Sequence, residues 1–87
     1  MSVAWWVYIV HCADGSLYTG IATDAERRVA EHNANDQLGA KYTRGRRPVV
    51  LVYRELCGDR AEAARREYAI KCLERRDKLS LIARASR

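Results

Sequence analysis

The sequence has no long apolar run, and this absence limits the classes of protein to which the chain can belong. No stretch of about 18 consecutive apolar residues occurs, which excludes a transmembrane helix. The apolar segment Val3–Val10 contains two tryptophans and has neither preceding basic residues nor a following small-residue cleavage site. It therefore predicts a β-strand rather than a secretory signal. With 87 residues in all, we expect one small domain over residues 1–87.

Cysteine is sparse and unsuitably spaced for a structural role. The three cysteines, Cys12, Cys57 and Cys72, form an odd and widely separated set without a Cys-x-x-Cys pair. Such a set argues against a disulfide framework or a zinc site, and it is typical of reduced thiols in a cytoplasmic protein. The sequence also lacks internal repeats, linkers and low-complexity segments. Because 48% of the residues are apolar, we expect a folded domain with a modest core.

Basic residues, in contrast, are abundant. Lysine and arginine total 16 against 11 acidic residues, which gives a net charge of +5. The cations concentrate in one glycine-bearing loop and again along residues 65–78, a distribution that favours nucleic acid over a merely soluble basic surface. The cations of this loop suit contacts with phosphates, and its aromatic ring, Tyr42, suits stacking on a base. The alternative is a charged surface loop that binds no ligand. The predicted nucleic-acid-binding residues are Lys41, Tyr42, Arg44, Arg46 and Arg47.

The hydrophobic pattern predicts an α+β fold with the order β-β-α-β-α-α, in which helices flank a three-stranded, mainly antiparallel sheet. The first strand is apolar at odd and even positions alike, as in a central strand covered on both faces. The predicted elements are strands at Val3–His11, Leu17–Ile21 and Val49–Leu56, helices at Asp24–Asn33 and Arg60–Arg75, a loop at Asn33–Pro48, and a short last helix capped by Asp77. The residues expected to dock this last helix are Leu79, Leu81 and Ile82.

Local signals define the first turn and the helix starts. Ala13-Asp14-Gly15 is typical of a type I turn closed by a glycine bulge. Such a three-residue loop places Tyr8 and Tyr18 on one face of the sheet, whereas a two-residue loop would send them to opposite faces. The segment Thr23-Asp24-Ala25-Glu26 predicts a capping box for the first helix, and Asp59 with Glu62 repeats the pattern before the second.

Two polar residues of the first predicted helix share a face. Arg28 and His32 are four residues apart, and apolar neighbours would anchor that face to the sheet beside the strand tyrosines. A guanidinium there suits the binding of a phosphate and the stabilisation of developing charge. The alternatives are a solvated Arg28 that pairs with Asp24 or Glu31, and a surface or capping histidine at position 32.

Two phenols, a glycine and a carboxylate complete the candidate site. Tyr8 and Tyr18 could orient an attacking water or help to remove its proton, provided that a cation assists a phenol of pKa about 10; the alternative is half-buried packing. Gly20 would allow substrate or a helix to approach closely, or would simply end the strand. Glu67 could hold one Mg²⁺ beside water and a phosphate oxygen, whereas spacing alone favours a pair with Lys71.

The order of these groups resembles the GIY-YIG nuclease superfamily. Trp6-Val7-Tyr8 stands in the GIY place and Tyr18-Thr19-Gly20 in the YIG place, and over nearly the whole chain the sequence looks like the small stand-alone bacterial branch known as UPF0213. The resemblance implies a site with one divalent ion, Mg²⁺ or Mn²⁺. The residues that it implies are Tyr8, Tyr18, Arg28 and His32 as catalytic groups and Glu67 as the metal ligand, with Glu62 and Glu74 as other candidates on the same predicted helix.

The resemblance implies a metal-dependent endonuclease that acts on nucleic acid, with DNA in repair or processing as the expected substrate and no membrane partner. Two departures stand out, because Trp6 replaces the GIY glycine and nucleases of this superfamily usually carry additional recognition domains. One alternative is a non-hydrolytic nucleic-acid-binding module with a relict site. Another is a protein-interaction module in which Trp5 and Trp6 form an exposed apolar patch.

Overall fold

The computed structural model describes residues 3–34 and 38–85. The elements in chain order are β1 (Trp5–Cys12), β2 (Leu17–Ala22), α1 (Ala25–Ala34), a 3₁₀ turn (Lys41–Thr43), β3 (Val49–Cys57), α2 (Arg60–Lys71) and α3 (Arg75–Ala85). The α+β class and the order β-β-α-β-α-α are therefore confirmed. Among the described helices, none is both long and apolar enough to cross a membrane.

β1 is the central strand of the sheet. The strand order is β2-β1-β3, and both pairings are antiparallel. Side chains alternate across the sheet, so Val7 and Ile9 face one layer while Tyr8 and Val10 face the other. Both sets are buried, which explains why β1 is apolar at odd and even positions.

The helices divide between the two faces of the sheet. α2 and α3 cover the first face, where Ile70 packs in the same cluster as Val7 and Ile9. α1 covers the second face through Ala25 and Val29, as its apolar spacing predicts. The α1 face is therefore the one that contains Tyr8.

The hairpin between β1 and β2 has the predicted three-residue loop. The N–H of Gly15 donates to the carbonyl of Cys12 at 2.9 Å, and Gly15 has a φ of +88°, a conformation that glycine adopts without strain. The resulting register pairs Val10 with Tyr18. Residues that are two apart on a strand point to the same face, so Tyr8 lies on the face of Val10. Tyr18, the partner of Val10, therefore shares that face with Tyr8.

Side-chain caps begin α1 and α2. Asp24, rather than the first residue of the predicted capping box, accepts the backbone N–H of Arg27 at 3.0 Å. Asp59 accepts the N–H of Glu62 at 2.8 Å, as predicted, and the Glu62 carboxylate accepts the N–H of Gly58 at 2.8 Å. The two aspartate contacts satisfy N–H groups that a helix start leaves without an internal partner.

The C-terminal helices differ from the prediction. α2 ends at Lys71 rather than Arg75, because Leu73 bonds back three residues to Ile70 at 3.0 Å and tightens the last turn. α3 is an 11-residue helix instead of a short one. Asp77 lies inside its first turn and donates its N–H to the carbonyl of Glu74 at 3.0 Å, so the predicted cap at Asp77 is wrong.

Packing corrects one further expectation and excludes one alternative. Leu81 and Ile82 dock α3 on the core, whereas Leu79 is exposed and lies on the outer side of the helix. Trp5 and Trp6 are partly buried against the two core clusters. Arginine guanidinium groups lie over both indole rings, at 5.6 and 5.3 Å from their centroids. The tryptophans therefore form no exposed apolar patch, which removes the basis of the protein-interaction hypothesis.

The predicted loop at Asn33–Pro48 is partly ordered by contacts with the sheet. Residues 35–37 of this prediction lie outside the described residues, and a 3₁₀ turn occupies Lys41–Thr43. The Asn33 side chain accepts the N–H of Val49 at 2.7 Å and donates to its carbonyl at 2.9 Å. These two hydrogen bonds fasten the end of α1 to the start of β3. The Arg47–Pro48 peptide, which precedes β3, is cis.

Candidate active site

Tyr8 and His32 form a hydrogen-bonded pair on the α1 face of the sheet. The Tyr8 Oη atom lies 2.8 Å from His32 Nε2, and each residue is 1% exposed. β1 supplies the tyrosine and the last turn of α1 supplies the histidine. The histidine is thus buried beside a phenol, in contrast to the surface or capping histidine that was the alternative.

The hydrogen-bond partners of His32 define its tautomer. The backbone N–H of Ala40 donates to Nδ1 at 3.0 Å, so Nδ1 is an acceptor. Burial, with a further contribution from the charge of Arg28, lowers the pKa of His32 to about 4, and the ring is neutral near pH 7. The remaining proton lies on Nε2 and is donated to Tyr8 Oη. The phenolic hydrogen of Tyr8 is then available for another acceptor.

Thr43 is a site residue that the sequence did not reveal. It is fully buried, its hydroxyl donates to the carbonyl of Ala40 at 2.8 Å, and Oγ1 lies 3.3 Å from His32 Nδ1. Thr43 thereby holds the Ala40 backbone in the position from which it bonds to the imidazole. A threonine among loop cations gives no signal of burial, so only the packing of the loop against α1 exposes this role.

Tyr18 joins the pair through ring contacts. Its ring meets the His32 ring edge-on, with centroids 5.6 Å apart and planes at 76°. On the loop side, Tyr42 stacks on Tyr18 with centroids 5.5 Å apart and planes at 25°. The three rings form a continuous aromatic layer from the strand to the loop, an arrangement that adds stabilisation beyond the burial of area alone.

Gly20 makes room for the ring of Tyr8. The two residues are directly opposite in the β1–β2 ladder. A Cβ atom at position 20 would lie 2.6 Å from Tyr8 Oη and 2.8 Å from Cζ, closer than atoms can approach. The group that approaches Gly20 is therefore the Tyr8 phenol, and not the substrate or helix considered from the sequence.

Arg28 borders the site from α1. Its Nη1 atom donates to the Glu31 carboxylate at 3.0 Å and to the carbonyl of Leu38. The alternative pairing of Arg28 with Glu31 is thus present, whereas Asp24 serves as the helix cap. The side chain is 30% exposed, so the guanidinium is partly accessible from solvent.

The pKa of Tyr8 depends on other residues of the predicted site. Burial raises the pKa of Tyr8 above the usual range of a phenol, and the electrostatic influence of Tyr18 and Glu67 adds to the rise. The Arg28 guanidinium opposes it. Tyr8 therefore lies within electrostatic reach of all three groups as well as in contact with His32. A phenolate at this position requires positive charge nearby, which Arg28 supplies only in part.

Glu67 is the acidic residue of α2 whose charge acts on Tyr8. It is spaced one turn from Ala63 and Ile70, which are fully buried, and its side chain is 23% exposed. The carboxylate lies 3.4 Å from Lys71 Nζ, the pair that spacing predicts. Of the other candidates, Glu62 caps α2 and Glu74 follows its end with a largely exposed side chain.

The donor set fits only a sparsely ligated cation. Within residues 3–34 and 38–85, no group of three or more histidine, cysteine, aspartate or glutamate side chains could hold a metal ion. A site of the zinc or calcium kind therefore lacks ligands. A single carboxylate suits Mg²⁺ or Mn²⁺, because Mg²⁺ commonly keeps water and binds one or two carboxylates together with substrate phosphate. Glu67 meets that requirement.

Two of the four loop arginines and lysines are engaged inside the protein. Arg46 Nε lies 3.0 Å from the Asp14 carboxylate, Nη1 donates to the carbonyl of Tyr42 at 2.7 Å, and the guanidinium carbon lies 4.0 Å from the Tyr42 ring centroid. Arg47 Nε donates to the carbonyl of Arg44 at 3.2 Å. These contacts fold the loop and fasten it to the β1–β2 turn.

The exposed part of the loop is smaller than the sequence suggests. The side chains of Lys41 and Arg44 lie on the surface. Tyr42 is 38% exposed, yet its ring is in contact with Tyr18 and Arg46. Lys41 and Arg44 are accordingly the loop cations that can meet phosphates without breaking an internal contact.

The chain is similar to known proteins along nearly its whole length. Residues 4–80 match the family model of the GIY-YIG catalytic domain. The UPF0213 protein of Desulfotalea psychrophila is 62% identical over 79 residues, which cover 91% of this chain and 71% of that protein. The UPF0213 protein of Staphylococcus haemolyticus is 57% identical over 77 residues, covering 88% and 92%. The solution NMR structure of the UPF0213 protein from Bacillus halodurans is 46% identical, with a TM-score of 0.58, and the match covers 92% of this chain and 83% of that one.

Proposed function

Because the chain belongs to the family of GIY-YIG catalytic domains, we propose that residues 1–87 form one metal-dependent endonuclease domain that hydrolyses phosphodiester bonds, with DNA as the expected substrate. The observation that carries the proposal is the hydrogen-bonded Tyr8–His32 pair, with Tyr18, Arg28 and Glu67 around it. Phosphodiester hydrolysis needs a group that orients water and positive charge at the phosphate. The site contains residues suited to both tasks. Repair or processing in the cytoplasm is the expected setting.

The phenols position the attacking water in this proposal. His32 donates Nε2–H to Tyr8, so the phenolic hydrogen of Tyr8 is directed to another acceptor such as the water oxygen. The same N–H stabilises Tyr8 when it carries negative charge. Tyr18, which is only partly buried, contributes a second phenol from the neighbouring strand.

Charge stabilisation falls to Arg28 and Glu67. The partly exposed guanidinium of Arg28 binds a non-bridging phosphate oxygen and stabilises the charge that develops there. Glu67 would hold the divalent ion, Mg²⁺ or Mn²⁺, whose positive charge would neutralise the phosphate and make removal of a proton from water easier. In the metal-free chain the carboxylate pairs with Lys71 instead.

A cleavage assay with matched controls tests this proposal. Duplex, single-stranded and branched DNA and RNA are incubated with Mg²⁺ or Mn²⁺ and wild type, Arg28→Ala or Glu67→Gln protein. Arg27→Ala and Glu74→Ala make similar charge changes at exposed neighbouring positions. We expect losses of about 100-fold or more in the two site variants and activity near wild type in the controls. Unfolding in urea establishes that each variant is folded. Undiminished cleavage by both site variants would show that the site is elsewhere.

A second function is favoured by the exposed cations of the loop. Lys41 and Arg44 can bind phosphates whether or not the site turns over, which supports a non-hydrolytic nucleic-acid-binding module. The same assay separates the two functions. Binding that weakens with salt, without metal-dependent cleavage of any substrate, selects the binding module.

A further inference from the structure

An exposed tyrosine on α2 lies among cations outside the site described above. Tyr68 is 72% exposed, the largest fraction among the large apolar side chains of the described residues. The residues one helical turn away from it, all of them exposed, are Ala64, Arg65, Lys71 and Cys72. An exposed tyrosine ring with basic neighbours is typical of surfaces that bind nucleic acid.

The neighbours leave the ring of Tyr68 accessible. Side chains on a helix lean toward its N-terminus, so the ring covers the turn that contains Ala64 and Arg65. The methyl group of Ala64 is too small to cover an aromatic face. Ala61, one turn further toward the N-terminus, is another small exposed side chain. A flat ligand can therefore approach the ring without displacing a protein side chain.

The residues at helical spacing around Tyr68 carry basic charge. α2 has two carboxylates, of which Glu62 accepts the N–H of Gly58 and Glu67 lies between the buried Ala63 and Ile70 with a side chain that is largely covered. The face centred on Tyr68 thus presents Arg65 and Lys71 without an acidic residue at helical spacing, although Lys71 also pairs with Glu67. This charge complements a phosphate backbone and disfavours a basic protein partner.

We propose that the Tyr68 face of α2, formed by Ala64, Arg65, Tyr68 and Lys71, binds single-stranded nucleic acid by stacking one unpaired base on the tyrosine. Bases in a duplex are stacked on each other and cannot reach an isolated ring, whereas an unpaired base can. Because Tyr68 follows Glu67 on the same helix, the site would select substrates with an unpaired segment beside the cleaved bond. That placement rests on the proposed nuclease function, but the binding itself does not.

Binding measured without turnover tests the proposal. A fluorescently labelled single strand and the same strand in a full duplex are titrated with protein in EDTA, which prevents metal-dependent cleavage. The variants are Tyr68→Ala and Tyr68→Phe, with Leu79→Ala as an exposed apolar control on α3. We expect Tyr68→Ala to weaken single-strand binding about tenfold and duplex binding less than about twofold. Tyr68→Phe and Leu79→Ala should bind both ligands as the wild type does.

Several outcomes would overturn the proposal. Unchanged single-strand affinity in Tyr68→Ala would show that no base stacks there, and equal losses for single strand and duplex would indicate a phosphate contact only. A Tyr68→Phe variant as weak as Tyr68→Ala would implicate the hydroxyl group rather than the ring. If wild type cleaves nothing, the nuclease proposal fails while the binding result is unaffected, so the two failures are distinguishable.

Discussion

At the scale of single residues, Gly20 shows how tightly the site is built. Tyr8 is buried and hydrogen-bonded to His32, so its ring cannot move away from a new side chain without losing that bond. The Cβ of an alanine at position 20 would overlap the phenol, with only 2.6 Å to Oη. The smallest possible side chain is therefore already too large at this position.

We expect Gly20→Ala to lower the free energy of unfolding by about 1–3 kcal/mol, the range for overpacked cores, and to abolish most cleavage activity. Urea denaturation and the cleavage assay measure the two effects. Gly45→Ala is the matched control, since no atom lies within 4 Å of a Cβ built there, and it should change stability by less than about 0.5 kcal/mol. Equal stability of the two variants would contradict the packing described around Tyr8.

At the scale of elements, the loop that contains the 3₁₀ turn supports the site as well as offering cations. Ala40 and Thr43 hold His32, and Tyr42 stacks on Tyr18. The sequence suggested that the Tyr42 ring stacks on a base, a use that would require it to leave Tyr18. The two roles predict different kinetic behaviour.

If Tyr42 positions Tyr18, Tyr42→Ala should lower the cleavage rate at saturating substrate roughly three- to tenfold, the equivalent of one aromatic pair. Binding in EDTA should change by less than about twofold, and Tyr42→Phe, which keeps the stacked ring, should resemble wild type. Single-turnover kinetics and anisotropy titrations supply the two measurements. Parallel losses in binding and cleavage would instead support stacking on a base.

The elements themselves were predictable where the signal is local. Asp14-Gly15 specifies a three-residue turn by its backbone preferences, and Asp59 caps α2 through atoms only three residues apart. The end of α2 was not predictable, because Cys72 and Leu73 carry no helix-breaking signal and the turn there depends on packing. Leu79 is exposed because α3 turns Leu81 and Ile82 toward the core, and the choice between these three apolar positions depends on tertiary packing.

At the scale of the whole molecule, the candidate site depends on contacts between distant segments. The sequence placed Tyr8, Tyr18, Arg28 and Glu67 in one site through family order, and the structure brings them within electrostatic reach. The sequence could not show that His32 is buried, because that burial requires the loop at Ala40–Thr43 to fold over α1. Long-range packing, rather than residue type, determines which polar groups lose water.

The same packing makes global stability depend on pH. His32 titrates near 6.5 when unfolded, whereas burial and the charge of Arg28 lower its pKa to about 4 in the folded chain. Between these values the unfolded state binds more protons, so acid favours unfolding. The neutral ring contributes its full stabilisation above about pH 6.5 and loses it as the pH falls through about 4. Protonation of Nδ1 would also put a proton where Ala40 now donates.

We therefore expect the free energy of unfolding to fall by up to about 3 kcal/mol as the pH is lowered from about 7 to 4. Urea denaturation across this range measures the slope, and an NMR titration of the His32 ring measures its pKa directly. His11→Gln removes the exposed histidine of β1 and should leave the slope intact, whereas His32→Gln should flatten it. A His32 ring that titrates near 6.5 in the folded protein would mean that its Nδ1 is open to water, and the link from Ala40 through His32 to Tyr8 would then be absent.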